Sequence, residues 1–223
     1  MTFLELCQRT VEKCAISGSI VSVTGQTGEM LRVVNWVDEA WRDIQSSQSN
    51  WDWMREEFTF QTISGQQEYS VAATAVANFG KWHTDTFRLY NTAIGVSDEQ
   101  FLPEWLYLTF RNTYMFGVPK QDRPTVFAVR PRGSSLLFGD TPNDIYTVSG
   151  EYQRRPIGLT ANSDTPDMPE EYHLAIVHAA RMKYAAYESA AEVMAEASRD
   201  YERVMSNMSV TQLDDIGTGQ PLA

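Results

Sequence analysis

Residue types able to do chemistry gather most densely at 167–188, DMPEEYHLAIVHAARMKYAAYE, where two histidines and two adjacent glutamates share one helical pattern. Imidazoles and carboxylates bind zinc and serve as general acids and bases. Spacing decides whether they do either here. A zinc-protease helix carries histidines four apart, with glutamate after the first. His173 and His178 are five apart, and Leu174 follows the first. At 100° per residue they point about 140° apart, so they cannot jointly grip one ion. His173 falls on the apolar face with Ile176, Val177, Ala180, Tyr184 and Tyr187 and reads as a packed, hydrogen-bonded residue; His178 reads as a surface one. Glu170 and Glu171 point about 100° apart on a helix, which suits acid–base chemistry poorly. Their expected role is to match the positive end of the helix dipole, with Asp167 as cap and Pro169 in the first turn.

The other candidates are no stronger. Glu56-Glu57 and Asp214-Asp215 are also adjacent pairs, with no convergent partner in sequence. TGQTGE (24–29) lacks the lysine of a phosphate-binding loop and reads as a turn into a helix. There is no G-x-S-x-G elbow, and neither Cys7 nor Cys14 has a histidine nearby in sequence. On one straight helix the two cysteines stand roughly 10 Å apart along the axis, too far for a disulfide. They read as small buried residues of a chain made in a reducing cytoplasm. His83, in KWHTD, reads as isolated in a loop. No catalytic, cofactor or metal-binding residue is assigned, and no cofactor is expected.

The 223 residues carry a net charge of −11. That acidity disfavours general binding to nucleic-acid phosphates. It is uneven: 105–156 has 7 Arg and Lys against 4 acids, so the remainder is at −14. Arg130, Arg132, Arg154 and Arg155 lie there among Tyr107, Phe110, Tyr114, Phe116, Phe127 and Tyr152. Arginine and tyrosine are enriched at protein interfaces, so these arginines are candidates for intersubunit or partner contacts rather than for nucleic acid. No run approaches the roughly 20 apolar residues of a membrane span. The opening MTFLELCQRTVEKC interleaves charges and does not read as a secretory signal.

These residues are positioned by elements legible in the hydrophobic period. Thr2-x-x-Glu5 is a capping box, followed by Phe3, Cys7, Val11 and Cys14 at helical spacing. Met30, Val34, Val37, Trp41 and Ile44 mark a second helix over about 29–45. FTFQTISGQQEYSV alternates and breaks at SGQQ, which predicts a β-hairpin. AATAVANFGKWHTD reads as loop, and 103–114 as a short helix. TFRLYN, TVFAVRP, SSLLFGD and IYTVSGEYQRRP are further strands. From Met168 two helices follow, to about Ser189 and about Met208, the second burying Val193, Ala197, Tyr201, Val204 and Met208. The fold class is α+β. A helical bundle forms from 1–57 and 157–208, a β-rich lobe spans 58–156, and an extended, mobile C-terminal arm spans 209–223.

Three stretches together resemble the head-to-tail adaptor proteins of tailed bacteriophages, a group that includes the tail accessory and tail-tubular-A proteins of short-tailed phages. They are MTFLELCQRT with VTGQTGEMLRVVNWVDEAWRDIQ, then WDWMREEFTFQTISGQQEYSV, then EYQRRPIGL with MPEEYHLAIVHAARMKYAAYE. The resemblance implies a non-enzymatic virion protein at the neck. It would form a homo-oligomeric ring, usually dodecameric, beneath the portal, extend the DNA channel and dock the next neck or tail protein. Leu213, Asp214, Asp215 and Ile216 of the arm are then candidates for contact with the portal or a neighbouring subunit. Asp38, Asp43, Glu192 and Glu196 are candidates for an acidic channel wall past which genomic DNA slides without specific binding. Arg130, Arg132, Arg154 and Arg155 are candidates for tail-side or intersubunit contact. No membrane partner is expected. The competing readings are a virion cell-wall hydrolase whose carboxylate pair forms only in the fold, and another neck protein such as a head-completion or tail-terminator protein.

Overall fold

A computed structural model describes residues 1–213. The chain divides into two compact units, Met1–Met54 with the residues from Pro156 onward, and Arg55–Arg155. Five α-helices occur among the described residues: α1 (Phe3–Lys13), α2 (Gly28–Ser47), α3 (Tyr107–Tyr114), α4 (Leu174–Glu188) and α5 (Ala191–Gln212). All but α3 belong to the first unit.

The capping box opens α1: the Glu5 N–H donates to Thr2 Oγ1 at 3.3 Å, and the Thr2 N–H donates to the Glu5 carboxylate at 2.8 Å. The helix buries Phe3, Leu6, Cys7, Thr10 and Val11. Along α2, Val33, Val34, Val37, Ala40, Trp41 and Ile44 make a continuous buried stripe. Beyond it, Trp53 stacks on both Trp41 and Trp51, with centroids 5.3 and 6.0 Å apart. Trp51 is wholly buried, donates from Nε1 to the Ile44 carbonyl at 3.0 Å, and pairs by an antiparallel bridge with Leu213. This ties the end of α2 to the segment after α5.

Two helix starts and stops differ from expectation. Glu170–Tyr172 form a separate 3-10 turn, and α4 begins only at Leu174, with no side-chain cap bond. Asp167 therefore does not cap α4, and Glu170-Glu171 precede it rather than occupying its first turn. At the other end α5 continues to Gln212, so 209–212 are helical and the extended arm cannot begin at 209. Met208 is buried, the Ser209 hydroxyl bonds back to the Met205 carbonyl at 2.9 Å, and the Tyr172 and Thr211 hydroxyls meet at 2.8 Å. Those contacts carry the helix past the point where its apolar stripe stops. On α5 only Ala197 and Met208 are fully buried; Val193, Tyr201 and Val204 are half-buried.

The second unit holds nine strands: β1 (Arg55–Gln61), β2 (Glu68–Tyr69), β3 (Phe79–Asn91), β4 (Gln100–Phe101), β5 (Gln121–Asp122), β6 (Val126–Val129), β7 (Leu136–Gly139), β8 (Thr141–Pro142) and β9 (Tyr146–Arg154). They form sheets ordered β1-β9-β3-β4 and β2-β7-β6, with a parallel β5-β8 pair. Phe58, Phe60, Trp82, Phe87, Phe127, Phe138 and Tyr152 fill the core of this unit.

The expected hairpin of β1 with β2 does not form. β1 pairs with β9, and β2 with β7. The Thr62 N–H carries the β1–β9 ladder one step further, to the Tyr146 carbonyl at 2.8 Å, so the strands part at the SGQQ loop instead of folding back. The Tyr69 hydroxyl closes that loop, taking the Ile63 N–H at 2.7 Å. Nor is 72–85 all loop: β3 starts at Phe79. Its pairing with β9 is interrupted between Phe79 and Lys81 and between His83 and Arg88, and such bulges erase the alternation that would announce a strand.

Candidate functional site

The histidines come first. His173 is 2% exposed. Its Nε2 lies 2.9 Å from the Met168 carbonyl, which can only accept, so Nε2 carries the proton. Nδ1 is then an acceptor, and the Met1 amino group donates to it at 2.8 Å. Burial holds the His173 pKa below its ordinary value.

His178 is not a surface residue. It is 7% exposed, because α5 packs back over that side of α4. Its Nδ1 has no hydrogen bond among the described residues and stands 4.0 Å from the Asp200 carboxylate. One turn on, the Arg181 side chain is 5% exposed and bonds Glu196 at 3.1 Å and Asp200 at 3.9 Å. Glu196 and Asp200, one helical turn apart on α5, thus meet the basic side of α4. Sequence reasoning missed this cluster; the four-residue spacing of Glu196 and Asp200 against His178 and Arg181 was its signal.

His83 is also buried rather than isolated in a loop. It sits on β3, and its Nε2 faces Gln153 Oε1 at 3.1 Å. The three histidines have separate partners. Among the described residues no group of three or more His, Cys, Asp or Glu could hold a metal ion. Cys7 and Cys14 are free and buried, and burial pushes their thiols up to about 12 and about 11.

The adjacent glutamates of β1 diverge. Glu56 accepts from the Tyr152 hydroxyl at 2.5 Å and pairs with Arg154 at 3.2 Å. Burial first, and Glu56 second, push that phenol up to about 12. Glu57 lies directly across the ladder from Glu151, beside a shallow cleft of about 230 Å³ lined also by Thr59, Thr86 and Ser149. Glu151 is itself held by Arg55 at 2.7 Å. Asp214 and Asp215 lie outside the described residues.

The four arginines separate into two kinds. Arg130 forms a two-pronged bond to Glu68, at 2.9 and 2.7 Å, and lies over the Tyr107 ring. Arg154 is tied to Glu56. Arg155 donates to the Phe79 carbonyl at 3.1 Å and is otherwise exposed. Arg132 is exposed in the turn between β6 and β7. Phe110, Phe127 and Tyr152 are core, Tyr107 and Tyr114 are half-buried, and Phe116 is exposed.

The four acids differ in a similar way. Asp38 accepts from the Leu159 N–H at 2.7 Å and from Arg42 at 2.9 Å. Asp43 pairs with Lys183 at 2.8 Å and Glu196 with Arg181. Glu192 is exposed and enters no ion pair among the described residues. Of the arm residues Leu213 is placed, against Trp51; Ile216, like the two aspartates before it, lies outside the described residues.

The two-unit α+β chain buries its three histidines and pairs Glu56, Asp43 and Glu196 with phenolic or cationic partners. The chain belongs to the SU10 adaptor protein family, whose model it matches over residues 1–221. It is accordingly a structural protein of the phage head-to-tail adaptor class. No curated protein matches it. No described helix is long and apolar enough to cross a membrane.

Proposed function

We propose that the chain is a ring subunit, in the usual case dodecameric, that seats beneath the portal, extends the DNA channel and receives the next neck or tail protein. The family match over nearly the whole chain carries this reading. The distribution of charge supports the channel role. Residues 1–54 and 156–223 hold 18 acids against 8 Lys and Arg, a net −10, whereas 55–155 hold 11 against 10. An acidic wall built from the helical unit repels DNA phosphates and leaves the genome free to slide. Glu192, exposed and unpaired among the described residues, is the strongest of the four acids for this role. Asp38, Asp43 and Glu196 contribute less free charge because each already has a cationic partner.

The residues after Leu213 are proposed to contact the portal or a neighbouring subunit, with Asp214, Asp215 and Ile216 as the contacting groups. The test is a truncation. Removing 214–223 leaves the Leu213–Trp51 bridge and the last turn of α5 in place. The truncated chain should fold with an unchanged circular dichroism spectrum and lose binding to purified portal protein. Portal binding at full strength after this truncation would refute the assignment.

A further inference from the structure

We propose that two copies of this chain pair through the free edge of β1, antiparallel and centred on Thr59, so that their four-stranded sheets become one. The inference goes beyond the ring reading and does not rest on it.

β1 is an outer strand of its sheet and runs beside β9 for seven residues without a bulge. The Thr62 N–H bonds the Tyr146 carbonyl, so by the alternation of an antiparallel ladder the main-chain groups of Glu56, Phe58 and Phe60 also face β9. Those of Glu57, Thr59 and Gln61 face away and have no hydrogen-bond partner among the described residues. The other sheet edges are short, bulged or covered. β2 and β4 are two residues long, and bulges interrupt β3. The outer side of β6 takes the Trp105 N–H on the Phe127 carbonyl at 2.7 Å and gives the Phe127 N–H to the Pro103 carbonyl at 3.1 Å. A row of unpaired peptide groups with no proline, bulge or cover is a template for one more strand.

The sequence of β1 says which strand. Glu57-Phe58-Thr59-Phe60-Gln61 reads nearly the same in both directions, because glutamate and glutamine share a shape. Turned end for end about Thr59, a second β1 sets Thr59 opposite Thr59, Glu57 opposite Gln61 and Phe58 opposite Phe60. The outward main-chain groups then meet in about six hydrogen bonds, two for each facing pair. Each Glu57 carboxylate accepts from a Gln61 amide, and no acid faces an acid. Phe58 and Phe60, buried on the core side, continue one aromatic layer from copy to copy, while Glu57, Thr59 and Gln61 share the exposed side. Sliding one strand by two residues loses both Glu57–Gln61 pairs. Charge repulsion is also least here: Arg55–Arg155 holds 11 acids against 10 Lys and Arg, whereas the rest of the chain is at −10. A contact that uses the same surface on both copies closes at two. It is therefore a state of the free chain and not the joint between ring neighbours.

The test introduces single cysteines into the full-length chain. Cys7 and Cys14 are buried, so the exposed new thiols are the ones that react. Under mild oxidation Thr59→Cys should cross-link with itself, and Glu57→Cys with Gln61→Cys when the two are mixed. Facing Cα atoms in such pairs stand about 5.5 Å apart, within disulfide reach. Glu57→Cys alone and Gln61→Cys alone should not cross-link, because like positions lie about 13 Å apart along the strands. In sedimentation, Gln61→Lys should tighten self-association about fivefold, and Gln61→Glu, which sets acid against acid, should weaken it by about as much. Position 61 is exposed, and circular dichroism checks that each variant folds. Equal cross-linking in every combination, cross-links only in other combinations, or none, overturns the inference, as does self-association indifferent to the sign of charge at 61. Mass measurement of the same samples with portal protein separates the two readings. Rings without this cross-link pattern in the free chain sink the pairing and keep the ring; the pattern without rings keeps the pairing and sinks the ring.

Discussion

His178 shows what burial does to a group that the sequence leaves looking available. Lys13 of α1, Arg181 of α4 and Asp200 and Arg203 of α5 all act on it. Burial is the largest influence and holds its pKa below the ordinary 6.5; Asp200 opposes this, and the three cations add to it. His173 is lowered too, again chiefly by burial. An imidazole with a lowered folded pKa takes up a proton on unfolding, so its contribution to stability is complete above about 6.5 and falls as pH drops from there towards the folded value. The melting temperature of the protein should therefore decline on mild acidification, well above the carboxylate range. The decline should be shallower in His178→Gln, because one of the two proton-uptake sites is gone. Identical pH profiles for wild type and variant, followed by circular dichroism, would contradict this. Trp51 is the second sensitive position. Replacing its buried ring with alanine should cost about 3–5 kcal/mol in urea unfolding, and Trp51→Phe distinctly less, because most of the apolar volume stays.

At the scale of elements, the central sheet depends on a close approach of β3 to β9. A Cβ added at Gly80 would lie 2.8 Å from the Gln153 carbonyl oxygen, a backbone atom that cannot swing away. Gly80→Ala should destabilise the protein by about 1–3 kcal/mol, measurable in the same urea titration; an unchanged midpoint would show that the strands part easily there. This contact was not legible in the sequence, and the reason is physical. Helices declare themselves through local periodicity, so α1, α2, α4 and α5 could be read from Phe3, Val37, Ile176 or Ala197 and their neighbours at i+3 and i+4. Strand pairing is non-local. β1 finds its partner in β9, the last strand of the chain's central unit, and nothing at SGQQ announces that. TFRLYN showed the second half of β3, but the bulges hid its first half, 79–85, and with it the burial of His83. His178 was misjudged for a related reason: helix angles place a side chain on its own helix, whereas its exposure depends on what packs there, in this case α5. That His173 and His178 face different surroundings, by contrast, was legible from their five-residue separation.

For the whole molecule, the helical unit is strongly acidic and the β-rich unit nearly neutral, with a basic, apolar stretch around α3. If a helical wall at −10 per subunit lines a channel, salt screens a repulsion rather than an attraction, so the assembled protein should hold DNA weakly even at low salt. Tight DNA binding by the assembled protein in low salt, seen in a filter-binding assay, would contradict an acidic lumen. The central claim is that this chain is a ring subunit of the phage neck. Light scattering of the purified chain with and without portal protein tests it most directly. The account predicts a complex with the mass of the portal plus a closed ring of adaptor copies; a mixture whose components keep their separate masses at all ratios would contradict it.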